Sequence, residues 1–138
     1  MIQTGGIRWL AVLAFFTVLS TPVQAGRHDP MYVPEPIDVP AGASADNLRK
    51  DVHKALFDEG FSARDIAPGH AEGKRVKSGF HGPYFAVVDV YFDNKTIRIS
   101  YKDSENLNYD PRNHTIYSTY NKWVRNIERR LRRNLGAY

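Results

Sequence analysis

Apolar residues change their spacing several times along this chain, and each change predicts a different element. From Gly26 to Pro40, "GRHDPMYVPEPIDVP" carries four prolines and no helical or strand-like period. Proline fixes φ and pushes the residue before it away from helix, so an extended leader is expected. Its Tyr32, Val33, Ile37 and Val39 are available to pack along a domain edge. The period then becomes helical: Leu48, Val52, Ala55 and Leu56 recur on one face of "AGASADNLRKDVHKALFDEGF". Ser44 suits the N-cap, Asp46 the positive first turn and Gly60 the C′ position.

Beyond Gly60 the pattern shortens to that of strands. Phe61 to Ile66 predicts a short strand, Pro68-Gly69 a turn, and Ala71 to Ser78 a basic strand carrying Lys74, Arg75 and Lys77. "YFAVVDVYF" has Tyr84, Ala86, Val88, Val90 and Phe92 on one face and Phe85, Val87 and Tyr91 on the other. Apolar character on both faces predicts a central strand. In "TIRISYK", Ile97, Ile99 and Tyr101 alternate with Thr96, Arg98, Ser100 and Lys102, one face toward a core and one toward water. An Asn-rich loop, Asp103 to Asn113, leads into a last helix over roughly His114 to Leu135. Ile116, Tyr120, Trp123, Val124, Ile127, Leu131 and Leu135 share its apolar face. The order predicts an α+β two-layer sandwich: a helix, a three- or four-stranded antiparallel sheet, and a long C-terminal helix. The expected organisation is a single domain over 41–138 behind the leader at 26–40.

The first residues belong to another category. Arg8 precedes an apolar run from Trp9 to Leu19, followed by Ser20, Pro22 and the small-residue site Val23-Gln24-Ala25. This predicts a secretory signal over 1–25, cut after Ala25. The run falls short of the roughly 20 residues that span a bilayer, although retention as an anchor is the alternative. The chain has no cysteine, so neither a lipid attachment nor a disulfide is available, and the fold rests on core burial. An exported, periplasmic protein is expected.

Charge matters through its distribution rather than its total of +4. Lys122, Arg125, Arg129, Arg130, Arg132 and Arg133 face a single acid, Glu128, within one helix. Lys122, Arg125, Arg129, Arg132 and Arg133 therefore form a candidate face for an anionic envelope component or an acidic envelope protein. Nucleic acid is not expected as a partner outside the cytoplasm. The bland alternative is a solvated face whose cations complement the helix C-terminus.

Catalytic and metal signatures are weak. Asp103, Ser104, Asp110 and His114 are close in sequence, but no strand–nucleophile–helix elbow accompanies them, and short polar residues readily make turns. The five histidines form no H-x-H or H-x-x-x-H pair, and "DSENLNYD" has Leu107 and Asn108 where a calcium loop needs an oxygen ligand and glycine. The glycines match no phosphate-binding fingerprint. No metal or cofactor is expected. Tyrosines and amides gather instead: Ser104, Asn106, Tyr109, Tyr120 and Asn121 are the candidate ligand-binding residues, beside Tyr101, Tyr117 and Trp123. The same residues also suit a half-buried seam between sheet and helix.

"YKDSENLNY" followed by "IYSTYNKWVRNIERRL" resembles the C-terminal signature of an uncharacterised family of small proteobacterial envelope proteins. That signature is a Y-x-D-S-x-N-L-x-Y loop before a helix with a Y-N-x-W-[VI] core. "PEPIDVPAG" and "VVDVYFDNKTIRISY" are similar as well, so the likeness runs from about Val33 to Leu135. It implies an envelope compartment and this fold class, and no activity. Relatives often carry a lipoprotein cysteine, which this chain lacks, so a free periplasmic form is implied. No histidine role carries over, because Tyr117 stands near the position where relatives show His. The functional expectation is a non-enzymatic envelope binding module. The alternatives are an assembly protein pairing through a sheet edge and, third, a hydrolase.

Overall fold

The computed structural model describes residues 28–136. The expected export signal, the first two residues of the leader and the last two residues of the chain lie outside them. Helix α1 (Ala45–Asp58) forms where the apolar period predicts it, and its punctuation is as read from the sequence. The Ser44 hydroxyl accepts the Asn47 backbone N–H at 3.1 Å. Gly60 follows with φ +79°, a left-handed residue that ends the helix.

Strands β3 (Ser62–Ala67), β4 (His70–Gly79), β5 (Gly82–Phe92) and β6 (Thr96–Glu105) follow as consecutive antiparallel hairpins. Strand β2 (Ile37–Asp38), from the leader, adds to β6, giving the order β2-β6-β5-β4-β3. The fold is therefore α+β, with five strands in the main sheet. Strand β5 is central, as its two apolar faces predict. The β5–β6 turn is set by Asp93, whose carboxylate accepts the backbone N–H groups of Lys95 and Thr96 at 2.7 and 2.8 Å. Those bonds hold its carboxyl below the ordinary aspartate range.

One face of the sheet carries the core. Ala71, Ala86, Val88, Val90, Phe92, Ile97 and Ile99 meet Leu48, Val52, Ala55 and Leu56 of α1. Helix α2 (Ser118–Leu135) adds Tyr120, Trp123, Val124, Ile127 and Leu131. The fit between layers is close at Gly73, where a Cβ would stand 2.7 Å from a Leu56 methyl.

The last helix starts later than its sequence pattern predicts. His114 adopts φ +51°, and Thr115–Tyr117 form strand β7, paired antiparallel with β1 (His28–Pro30). A β-branched pair and a tyrosine took the extended partner on offer instead of a first helical turn. The leader is accordingly no loose strap. Ile37 is fully buried, Tyr32 and Val39 are partly so, and Val33 stays largely exposed.

Two glycines separate conformational strain from collision. Gly69 (φ +75°) ends the β3–β4 turn, and a Cβ there would sit 2.7 Å from the Phe92 carbonyl oxygen; Gly42 (φ +87°) faces open space. We expect Gly69→Ala to lower stability by about 1–3 kcal/mol or more and Gly42→Ala by about 1 kcal/mol. Urea midpoints measure the difference, and equal shifts would contradict the packing described for the turn.

Candidate functional site

Strand β6 contains a bulge that organises the tyrosine cluster. Val87 faces Asp103 and Val88 faces Tyr101, leaving Lys102 as the extra residue. The parity of the strand switches there, so Tyr101 and Ser104, opposite the core-facing Val88 and Ala86, share a face. Their hydroxyls hydrogen-bond at 2.9 Å. Lys102 turns the other way and pairs with Glu72 on the helix-free face, with Asp89 3.8 Å away.

The loop that follows is held by its own side chains. Asn106 and Asn108 have φ +56° and +54°, which Asn tolerates better than most residues. Between them Leu107 is driven into the core, 2% exposed. Asn106 Nδ2 donates to the Pro83 carbonyl at 2.8 Å, and Asn108 Nδ2 to His28 Nε2 at 2.6 Å. Asp110 accepts from the Arg112 and Asn113 backbone N–H groups and from the Asn113 amide, which together hold its carboxyl below the ordinary range.

These constraints shape a cleft of about 800 Å³ whose wall includes Tyr101, Ser104, Asn106, Tyr109 and Tyr117. The Tyr101 and Tyr109 rings lie 4.2 Å apart, and Tyr120 meets Tyr101 edge-on at 5.6 Å from behind. Burial raises the hydroxyl pKa of Tyr101, opposed by the Ser104 hydrogen bond, and burial raises that of Tyr120 strongly. Both are neutral at physiological pH. Asp103 and Glu105 stand on the cleft's rim.

Of the candidate ligand residues, the structure thus brings Ser104, Asn106 and Tyr109 together. Tyr120 lies beneath them, 1% exposed. Asn121 is elsewhere: 2% exposed, it accepts the Tyr32 backbone N–H at 2.8 Å and donates to the Pro30 carbonyl at 2.9 Å. Its role is to clasp the leader to α2. The Tyr32 hydroxyl extends the clasp by donating to Glu128 at 2.5 Å, a bond that raises its pKa. Among the described residues no hydrogen bond joins Ser104 to His114 or His114 to Asp110, and no three acidic or histidine side chains gather as metal ligands.

The basic face divides into two sets. Arg130 donates to Glu59 at 2.7 Å and lies 3.7 Å from Asp58. Arg132 pairs with Glu128 at 3.0 Å and reaches the Glu35 carbonyl. Both arginines are thus committed to carboxylates; the i,i+4 spacing already suggests the Arg132–Glu128 pair, whereas sequence spacing does not reveal Glu59 as the partner of Arg130. Lys122, Arg125, Arg129 and Arg133 are exposed and make no ion pair among the described residues. Their spacing, three then four then four, places them within one narrow stripe opposite the buried Tyr120, Ile127 and Leu131. Arg125 lies over the Tyr32 ring at 4.2 Å.

Arg75 is the residue that sequence reasoning passed over. It pairs with Ala86 in register, so it belongs to the core-facing side of β4, where its guanidinium lies over Trp123 at 4.5 Å. The signal available was parity: Ala71 and Gly73 precede it on that same face.

Comparison with models of protein families, with curated proteins and with solved structures gives no match to this chain.

The clasp yields a direct expectation. Asn121→Ala removes both leader bonds and should lower stability by about 1–3 kcal/mol. Hydrogen exchange should show the Tyr32 amide losing protection while β5 amides retain theirs. Unchanged protection at Tyr32 would mean that the leader is held by other contacts.

Proposed function

We propose that this protein is an exported, non-enzymatic module that docks on an anionic component of the cell envelope through the outer stripe of α2. The observation that carries the reading is the division of the basic face. Arg130 and Arg132 have carboxylate partners, whereas Lys122, Arg125, Arg129 and Arg133 line one stripe without ion pairs among the described residues. Such a stripe does not serve the helix itself. Like charges three or four residues apart destabilise a helix by about 0.2–0.5 kcal/mol per pair. Only the last turn rewards cations through the helix dipole, and Lys122, Arg125 and Arg129 lie before the basic pair, Arg132 and Arg133, that occupies it.

The compartment rests on the sequence pattern of residues 1–25 and on the likeness to small envelope proteins. Surface docking rather than insertion follows from packing, because the apolar face of α2 is already occupied by the sheet and α1. No helix among the described residues is long and apolar enough to cross a membrane. Docking by a long exposed stripe needs no enclosed pocket, and its strength scales with charge and falls as salt screens it.

The test compares the protein with an Arg125→Glu, Arg129→Glu, Arg133→Glu variant on vesicles containing phosphatidylglycerol and on neutral vesicles, by co-sedimentation. With about 1 kcal/mol per basic residue near an anionic surface, the variant should bind at least tenfold more weakly. Wild-type binding should also fade with added salt. Equal binding by both proteins, or binding indifferent to salt, would refute the stripe as the docking surface.

A further inference from the structure

The start of α2 borders a second concavity that is not part of the tyrosine cleft. It measures about 320 Å³, at the lower end of small-ligand sites, and its wall includes Arg75, Lys122, Trp123 and Asn126 with the hydroxyl residues Ser118 and Thr119. Two separate elements supply its cations, Arg75 from β4 and Lys122 from α2.

Arg75 is held in an unusual way. Its register with Ala86 sends it toward the layer of helices, where an arginine would meet the core, but it lies at the edge of that layer and rests on Trp123. Trp123 is itself fixed by Tyr84, stacked at 5.9 Å, and by Phe61, edge-on at 6.1 Å. Gly60 closes the other side, and a Cβ there would stand 3.4 Å from Arg75 Nε. The guanidinium is thus a fixed plate, its stem and Nε covered by protein. Nε is the one buried side-chain polar atom without a hydrogen-bond partner among the described residues, and neither Arg75 nor Lys122 makes an ion pair there. The acid at the cleft, Glu59, is committed to Arg130 at 2.7 Å, and the first turn of α2 contains no acidic residue. A half-buried arginine whose Nε is covered and without a partner carries a cost, and an anion that meets its outer nitrogens would offset it.

We propose that this cleft seats a phosphate monoester group, with the Arg75 guanidinium presenting a planar donor edge and Lys122 a second positive charge. The planar fork of arginine matches phosphate oxygens, and lysine supplies a point charge beside it. Hydroxyls of Ser118 and Thr119 and the Asn126 amide are the neutral donors around it. The inference deepens the docking reading: Lys122 belongs to both surfaces, so the seat marks the end of the α2 stripe where a single phosphate is gripped instead of merely attracted. The same chemistry is offered by a lipid headgroup ending in a phosphate and by a soluble phosphate.

Inorganic phosphate titrated into the protein, followed by phosphorus NMR and by the Trp123 indole N–H resonance, tests the seat. Wild type should bind, with the Trp123 resonance moving. Arg75→Gln and Arg75→Lys should weaken binding roughly tenfold or more, the lysine variant because it loses the fork and the stack. An Arg129→Gln, Arg133→Gln variant should bind phosphate like wild type while losing affinity for anionic vesicles. Vesicles of phosphatidic acid and of phosphatidylglycerol then distinguish the sources. A preference for phosphatidic acid that vanishes in Arg75→Lys supports a headgroup ligand, and phosphate binding with no such preference supports a soluble one. If wild type shows no phosphate binding, or the Arg75 variants bind as well as wild type with unchanged melting curves, the seat is overturned while the stripe stands on its own vesicle result.

Discussion

The burial of one helix face sets nearly everything else in this molecule. With no cysteine to tie the chain, α2 must be held by Tyr120, Trp123, Val124, Ile127 and Leu131 against the sheet and α1. Once that face is committed, the rotation of the helix is fixed, and its cations have only the opposite side to occupy. Arg130 and Arg132, at the flanks, swing back to acids at the end of α1 and within α2. Those in the middle of the outer side make no ion pair among the described residues. Trp123 has a second consequence, because the ring that anchors the helix also carries Arg75. A ring of the core and a constrained cation thus meet in one contact.

Much of this was legible in the sequence, and the rest was not for identifiable reasons. The α1 cap residues Ser44 and Gly60 act within a few residues of themselves, so local pattern suffices to find them. The double-faced apolar character of β5 likewise states its central position. The short strand β7 is different: Thr115–Tyr117 becomes extended because His28–Pro30 arrives from the far end of the chain, and no window around residue 116 contains that partner. The bulge at Lys102 depends on how two strands settle against each other. It alters which residues share a face with Tyr101, which is why Ser104 joins the tyrosines. Asn121 looks polar and surface-directed in sequence, yet it faces the leader. Its neighbour Tyr120 is buried under Tyr101. The loop residues Ser104, Asn106 and Tyr109 do converge on one cleft.

That cleft and the basic stripe differ in kind. The cleft is walled largely by tyrosines, with Asp103 and Glu105 also in its wall and the amides of Asn106 and Asn108 spent on fixing the loop. Around α2 the balance is reversed, with charges in excess of local partners among the described residues. A long helix carrying such a face while its other side is locked into the core presents its charges as a rigid row, at about 1.5 Å per residue.

The leader's clasp has a bearing on the order in which the molecule comes together. Tyr32 finds its partners Asn121 and Glu128 at separations of 89 and 96 residues, and β1 waits for β7, which is nearly as distant. Contacts so far apart along the chain contribute late, because the intervening loop must close before they form. The hairpins from β3 to β6 and the helix before them need only neighbours and can assemble at once. The proline-rich segment, extended whether docked or not, gives up little order while it waits. The first part of the leader, His28 to Tyr32, therefore finds its partners only once Thr115 to Glu128 have been made, whereas Ile37 and Asp38 need only β6.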